Sequence, residues 1–177
     1  MSGDRAIETV PTIRGFLDVW VLGPDGEVHD HRDGQNVVCT TGFSQFSQAL
    51  VWSGIQDQAA SLGVTSPTYL TPVWGAVGSS ATPAVKADTQ LGAELYRVTV
   101  GAGGSTPASP SVAALATWLF YFPNPTTTWS VNEAGVFAQA SSVTNSGSLL
   151  NHWVFPATIS VPAADTLVLQ VAFSFGP

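Results

Sequence analysis

Cysteine and basic residues are both scarce in this chain, and each scarcity excludes a class of structure or partner. Cys39 is the only cysteine, so no intrachain disulfide can form. Lysine and arginine number five against twelve aspartates and glutamates, which gives a formal net charge of -7. Binding to nucleic acid or to an anionic membrane needs clustered Lys and Arg. The composition therefore predicts no nucleic-acid and no membrane partner.

Charged residues of either sign are also few, at 10% of the chain against about 25% in ordinary soluble domains. After Arg97 the only charged side chains are Glu133 and Asp165. One interpretation is a surface covered by neighbouring subunits, because the centres of protein interfaces are depleted in charge. The other is a β-protein coated with Ser and Thr. Composition alone leaves both open.

Long apolar segments are absent as well. The longest apolar run, residues 112–122, is shorter than the ~20 residues of a membrane-spanning helix. The first residues are polar and lack the apolar centre of a signal peptide. These features predict a soluble protein that is made in the cytoplasm.

A chain of 177 residues is expected to form one domain. Residues 1–14 mix charged residues with Thr and Pro11 and show neither strand nor helix periodicity. We therefore predict an extended N-terminal arm over 1–14 and a single domain over 15–177. The arm is either a frayed terminus or a contact to a neighbouring subunit.

Alternating apolar and polar residues predict a β-hairpin at the start of the domain. Its strands cover 16–22 and 27–32, and a turn at 23–26 joins them, because a proline there fixes φ and a glycine supplies a positive φ. A second turn is predicted at Asp33-Gly34, before a short apolar segment at 36–39.

One amphipathic helix is predicted after this segment. Thr40 or Thr41 caps its start, and Gly54 ends it. Phe43 and Phe46 fall on one face of a 3.6-residue period and are expected in the core.

The rest of the chain is predicted to be mainly strands with short turns between them. A short helical turn at 88–95, with Leu91 and Leu95 stacked, is the exception. The predicted strands are 69–77 (interrupted by Pro72), 96–101, 113–122, 129–138, 148–155 and 166–175. This spacing is typical of an antiparallel β-sandwich, here with one packed α-helix.

Two sites with reactive side chains are weak candidates. His29 and His31 would share one face of a strand as a metal pair, but two ligands do not make a site. The simpler interpretation is two exposed histidines on the hairpin, and no metal or cofactor is predicted. Cys39 precedes the helix as a nucleophile would, yet Val37 and Val38 beside it favour inert packing.

Glu94 and Glu133 are the candidate pair of catalytic carboxylates. Arg97 lies near Glu94 along the chain and would neutralise a carboxylate. The favoured interpretation is a structural ion pair of Arg97 with Glu94 or Glu133. The chain has no phosphate-binding loop and no nucleophile elbow, so no catalytic residue and no enzymatic activity are predicted.

Three tryptophans next to polar residues are expected to be partly exposed: Trp52, Trp74 and Trp129. Exposed tryptophan serves either protein interfaces or stacking on sugars. Together with His29 and His31, they form the predicted interface set. Trp118 and Trp153 lie in apolar runs and are expected in the core.

An ordered series of short motifs resembles small bacteriophage virion proteins, namely tail-collar fibre and head decoration proteins. The matches are Asn36-Val37-Val38-x-x-x-Gly42, Asp88-Thr89-x-Leu91-x-x-Glu94-x-x-Arg97, Glu133-Ala134-Gly135-Val136-Phe137, Gly147-Ser148-Leu149-Leu150 and Asp165-Thr166-Leu167. They span residues 36–175. The first hairpin and the loops at 56–68 and 101–111 lie outside the pattern.

The resemblance implies a non-enzymatic virion structural protein that decorates or joins the particle, at the capsid or at the collar and tail-fibre attachment. Its partners would be other virion proteins (capsid, portal, collar or tail) and copies of itself in a homo-oligomer. Its location would be the virion after synthesis in the host cytoplasm. The alternative is a carbohydrate- or receptor-binding module of a tail fibre, and a hydrolase that uses Glu94 or Glu133 is a third.

Overall fold

The computed structural model describes residues 12–47, 73–101, 106–108, 115–123 and 125–176. These residues form one helix, α1 (residues 40–47), and nine strands. The strands are β1 (Thr12–Leu22), β2 (Val28–Val38), β3 (Trp74–Gly78), β4 (Glu94–Thr99), β5 (Thr106–Ala108), β6 (Leu115–Phe122), β7 (Trp129–Ala138), β8 (Ser148–Val161) and β9 (Thr166–Gly176). All strand pairs are antiparallel, which confirms a mainly β protein with a packed helix.

The strands belong to one sheet in the order β4-β3-β7-β8-β2-β1-β9-β6-β5. β2 pairs with β1 along most of its length but with β8 only through Val37 and Val38, so the sheet bends sharply there. β4 and β6 come close to each other, and the sheet is therefore nearly closed, like a barrel. The predicted two-sheet sandwich is wrong. Inward and outward residues alternate in the same way in both architectures, so the sequence pattern did not distinguish them.

β2 continues straight through the predicted second turn at Asp33-Gly34, and that prediction is wrong. Gly34 pairs with Leu17 of β1 inside the ladder. A β-carbon at Gly34 would lie 3.1 Å from the Trp153 ring, so the glycine makes room for an aromatic side chain. The first turn is confirmed, with Gly26 at φ 83°.

The boundary between the predicted arm and the domain differs from the structure, and several predictions lie outside the described residues. β1 begins at Thr12, which places the last three residues of the predicted arm in the strand that pairs with β9. Residues 1–11 lie outside the described part of the chain. So do the predicted end of the helix at Gly54 and residues 69–72 of the strand predicted over 69–77, and β3 overlaps the rest of that prediction.

The core fills the inside of the barrel with every second residue of the long strands. β1 contributes Leu17, Val19 and Val21, and β9 contributes Leu167, Leu169, Val171 and Phe173. Each fully buried side chain of this size stabilises the fold by about 1.5–3 kcal/mol.

Where the chain is described, no helix is long and apolar enough to cross a membrane.

Helix α1 covers one end of the barrel. Phe46 is buried beside Phe173, with ring centroids 4.8 Å apart, and Phe43 is partly buried, as predicted. The two threonines at the start of the helix bind other parts of the chain. The Thr40 hydroxyl donates to the Lys86 carbonyl, and the Thr41 hydroxyl donates to the Leu149 carbonyl.

The start of α1 packs directly on the backbone of β8. Cys39 N donates to the Leu150 carbonyl at 3.0 Å. Gly42 lies against that same carbonyl, and a β-carbon there would overlap its oxygen. A backbone atom cannot rotate away as a side chain can, so glycine is required at this position.

Replacing Gly42 by alanine should destabilise the protein, although alanine favours a helix by about 1 kcal/mol over glycine. The displaced backbone should cost more than that gain, for a net loss of about 1–3 kcal/mol in the free energy of unfolding. Urea unfolding of Gly42→Ala measures the loss. Ser47→Ala, at an exposed position of the same helix, is the control and should be neutral or slightly stabilising. A Gly42→Ala protein as stable as the wild type would contradict the close contact.

Candidate functional site

The most concentrated group of polar side chains lies where β7, β8 and the loop 79–93 meet. Glu133 of β7 is fully buried, with 0% of its surface exposed. Its carboxylate accepts hydrogen bonds from the backbone amides of Ser80 (3.2 Å), Gly92 (2.9 Å) and Ala93 (2.7 Å). The loop is thereby held to a single buried side chain.

The predicted helical turn at 88–95 is wrong, because residues 88–93 are irregular and β4 begins at Glu94. Leu91 is buried, whereas Leu95 is 45% exposed, so the two leucines do not stack. The pairing of β4 with β3 shifts at Gly78 and leaves Leu95 as an extra residue. This bulge places Glu94 and Arg97 on the same face of β4 although they are three residues apart.

Arg97 and Glu94 form a two-pronged ion pair inside the protein. Arg97 Nε lies 2.6 Å from Glu94 Oε1, and Arg97 Nη2 lies 2.7 Å from Glu94 Oε2. The two side chains are only 5% and 1% exposed. Arg97 Nη1 also donates to the Ser141 carbonyl (2.9 Å) and to Ser146 Oγ (3.0 Å), and the guanidinium lies 4.7 Å from the centre of the Phe137 ring.

Asn145 connects this ion pair to the loop. Its backbone amide donates to Glu94 Oε2 at 2.9 Å, and its side-chain oxygen accepts from the Leu91 amide at 3.1 Å. The residue adopts a positive φ of 55°, which asparagine tolerates better than most residues. The turn after β7 and the loop before β4 are therefore joined through one side chain.

His152 lies between two carboxylates, and both of its ring nitrogens are engaged. Nδ1 is 2.7 Å from Asp88 Oδ2, and Nε2 is 3.0 Å from Glu133 Oε2. Ionised carboxylates only accept hydrogen bonds, and a neutral imidazole has a single N–H. The geometry therefore fits the doubly protonated, positively charged form of His152.

The electrostatics of the pair agree with this assignment. Burial alone would lower the pKa of His152, but the hydrogen bonds to Glu133 and Asp88 outweigh it and raise the pKa. Burial alone would raise the pKa of Glu133, but the bonds from His152 and from the loop amides lower it. Each group is thus held in its charged form.

The structure separates the predicted set of Glu94, Arg97 and Glu133. It joins Arg97 to Glu94, and it places Glu133 with His152 instead. Sequence reasoning missed His152, whose partners lie 64 and 19 residues away along the chain. The available signal was that His152 is a titratable residue in a predicted strand rich in apolar residues, since such a residue needs partners when it is buried.

His29 and His31 bind different partners and do not face a common site. His29 Nδ1 lies 2.8 Å from Asp165, whose hydrogen bond raises the pKa of His29. His31 Nε2 lies 3.4 Å from Asp18, and its ring stacks on Trp20. Within the described ranges, no group of three or more His, Cys, Asp or Glu residues could hold a metal ion.

Cys39 is a buried free cysteine. Burial, together with the negative charge of Asp88, raises the pKa of its thiol to about 12. The reactive thiolate is therefore absent at neutral pH.

Two of the three predicted interface tryptophans lie in the described part of the chain. Trp74 is partly buried, 6.0 Å from the Arg97 guanidinium. Trp129 is partly buried and stacks on Tyr96, which is 40% exposed, with ring centroids 5.2 Å apart. Trp52 lies outside the described residues. Of the predicted core pair, Trp153 is buried and Trp118 is partly buried.

An open depression of about 280 Å³ reaches the edge of the buried network, where Asp88, Thr89 and His152 are among its lining residues. Neither nitrogen of His152 is free to act as a base there. Each carboxylate of the network already accepts donors from the chain. The arrangement is suited to holding a loop and a strand edge in place.

Comparison of the chain with protein-family models, with curated proteins and with solved structures found no match. The function must therefore be inferred from the residues themselves.

Removing the Arg97 side chain should strongly destabilise the fold. Arg97→Ala leaves the carboxylate of Glu94 buried without its cation, which costs about 3–5 kcal/mol of unfolding free energy. Arg32→Ala is the control, because Arg32 pairs with Asp30 at 3.1 Å on the exposed side of β2, and it should cost about 1 kcal/mol or less. Urea unfolding of both variants measures the two losses. Equal losses would mean that the buried pair has no special structural role.

Replacing His152 by glutamine should remove a pH-dependent part of the stability. The pKa of His152 is raised from 6.5, so its contribution is complete below pH 6.5 and is lost as the pH rises through the raised value. The pKa of Glu133 is lowered from 4.5, so its contribution is complete above pH 4.5 and is lost as the pH falls through the lowered value. In urea unfolding, the wild type should exceed His152→Gln most between pH 4.5 and 6.5.

The matched control is His31→Gln, which changes an exposed ring. His29 is present in both the wild type and His152→Gln, so its own titration cancels in the difference. If the difference stays constant as the pH rises above 6.5, His152 is not held as a cation in the folded protein.

Proposed function

We propose that the protein is a non-enzymatic structural component of a bacteriophage virion, which decorates or joins the particle through contacts with neighbouring subunits. Its partners would be capsid, portal, collar or tail proteins and further copies of itself. Its place would be the assembled virion, after synthesis in the host cytoplasm.

The observation that carries the proposal is the convergence of the shared motifs. Positions far apart in the chain meet in or around one buried cluster: Leu91, Glu94, Arg97, Glu133, Gly135, Phe137 and Leu149. A β-carbon at Gly135 would lie 2.8 Å from Leu149 and 3.1 Å from Leu91. Residues with a common structural task are expected to recur together in related folds, which supports the resemblance to small virion proteins.

The use of charge supports a structural role over catalysis. Glu133, His152, Glu94 and Arg97 all hold one another or the backbone. The buried carboxylates of Glu94 and Glu133 are each paired with a cation, and the thiol of Cys39 is held in its protonated form. Surface association is supported by exposed apolar side chains at Val28, Val85, Leu95, Tyr96 and Val143.

A second candidate is a carbohydrate- or receptor-binding module. The observation that favours it is the stack of Tyr96 on Trp129, which offers an exposed aromatic surface near the edge strand β4. Aromatic rings of this kind pack against the apolar faces of sugars. Loss of a saturable glycan interaction in Trp129→Ala would support this candidate.

The proposed function is tested on the purified chain and on particles. Light scattering over a range of concentrations should give a discrete oligomer in the absence of ligand. Mass spectrometry of phage particles purified from cells that carry this coding sequence should find the chain at a fixed ratio to the major capsid protein. A protein that stays monomeric, is missing from particles and binds a glycan would overturn the proposal in favour of the second candidate.

A further inference from the structure

We propose that copies of this chain join head to tail. In this contact, the acidic tip of the β1–β2 hairpin of one copy lies in a basic depression at the base of the same hairpin in the next copy. The inference rests on the proposed function and deepens it, because it names the surface through which subunits meet.

The depression has a volume of about 290 Å³ and lies where β1, β2, α1 and the loop 79–93 meet. Arg14 and Lys86 supply its positive charge. Its apolar lining comes from Ile13, Val37, Val38 and Phe43. The site therefore suits a partner segment that carries carboxylates beside an apolar side chain.

These two basic residues have no carboxylate partner among the residues that the structure describes. Of the five lysines and arginines, Arg5 lies outside the described residues. Arg32 pairs with Asp30, and Arg97 pairs with Glu94. In the described ranges, no ion pair involves Arg14 or Lys86. In a chain with a net charge of -7, two unpaired cations in one depression are an unusual concentration.

The nearest acid along the chain does not neutralise them. Asp88 follows Lys86 by two residues, but its carboxylate faces His152 at 2.7 Å and accepts the Val85 amide at 2.8 Å. The Lys86 ammonium instead lies 6.0 Å from the centre of the Phe43 ring. Its charge is therefore available to an incoming carboxylate.

The tip of the hairpin has the complementary character. Asp25 and Glu27 are exposed, and Asp25 Oδ1 accepts a hydrogen bond from the Glu27 amide at 3.0 Å. Val28 follows directly and is 57% exposed. The tip therefore offers two exposed carboxylates, with an exposed apolar side chain next to them in the chain.

A chain cannot fill its own depression with its own tip. The tip and Arg14 lie at opposite ends of β1, separated by about 30 Å at the usual rise per strand residue. The contact must join different surfaces of two copies. Contacts of this kind propagate around a ring or along a filament, and ring geometry suits a protein that surrounds a collar or decorates a symmetric shell.

Charge reversal tests the contact on the full chain. Arg14→Glu/Lys86→Glu reverses the depression, and Asp25→Lys/Glu27→Lys reverses the tip. Each double variant alone should weaken self-association by at least about tenfold, because like charges then face each other. An equimolar mixture of the two variants should restore association, since each tip then meets a depression of opposite charge. A chain that carries all four substitutions should also associate.

Two single variants with the charge changed elsewhere on the hairpin are the controls. Arg32→Glu and Asp33→Lys alter exposed positions of β2 and should leave the oligomer intact. Melting temperatures of all variants establish that they are folded. Sedimentation velocity at several salt concentrations should show that the wild-type association weakens as salt rises, because exposed ion pairs are screened.

The outcomes separate this inference from the proposed function. If the wild type forms an oligomer that neither double variant disturbs, the head-to-tail contact is wrong while the structural role stands. If only the depression variant dissociates, or the mixture fails to restore association, the depression binds a different anionic partner and the inference is overturned. If the wild type never associates, both the contact and the self-assembly part of the proposed function fail.

Discussion

The buried carboxylate of Glu133 is the constraint on which the surrounding structure depends. An unpaired charge in the interior would cost several kcal/mol, so its position is possible only with strong compensation. Three loop amides and the His152 cation provide it. The same bonds determine the path of the loop 79–93 into β4, and so they determine where Glu94 and Arg97 meet. The arrangement of this edge of the barrel therefore depends on the Glu133 side chain.

In the C-terminal half of the chain, the few charged residues are used in the interior. Past Arg97 the chain has two acidic residues, and both Glu133 and Asp165 are buried and bonded to histidines. The C-terminal half therefore presents a surface without formal charge of its own, since its histidine, His152, is buried as well. Such a surface has little electrostatic cost when a neighbour covers it, since few ions lose their hydration. Within the described ranges, charge that is available for recognition is concentrated on the first hairpin and on the loop 79–93.

The fold was predictable from sequence where local pattern and tertiary structure agree. The strand predicted over 129–138 coincides with β7, because one side of the sheet is buried and the period of two is clear. The prediction failed where distant groups decide. The segment 88–95 has the sequence pattern of a capped helical turn. In the structure, the backbone amides of Gly92 and Ala93 donate to the Glu133 carboxylate instead of to the carbonyls of a helix. The ion pair of Arg97 was foreseen with two possible partners, and only the bulge at Leu95 selects Glu94.

The interior network and the proposed contact surface are mechanically connected through one loop. Asp88 is held by His152, and Lys86 lies two residues before it with its carbonyl bonded to the amide and the hydroxyl of Thr40 at the start of α1. The position of the Lys86 charge in the depression therefore depends on the bonds that anchor the loop to the core. His152 bonds Asp88 and Thr40 bonds Lys86, so the backbone of the loop is fixed on both sides of residue 87. In a chain with few charges, the same loop thus closes the buried network and carries one of the two cations of the proposed contact site.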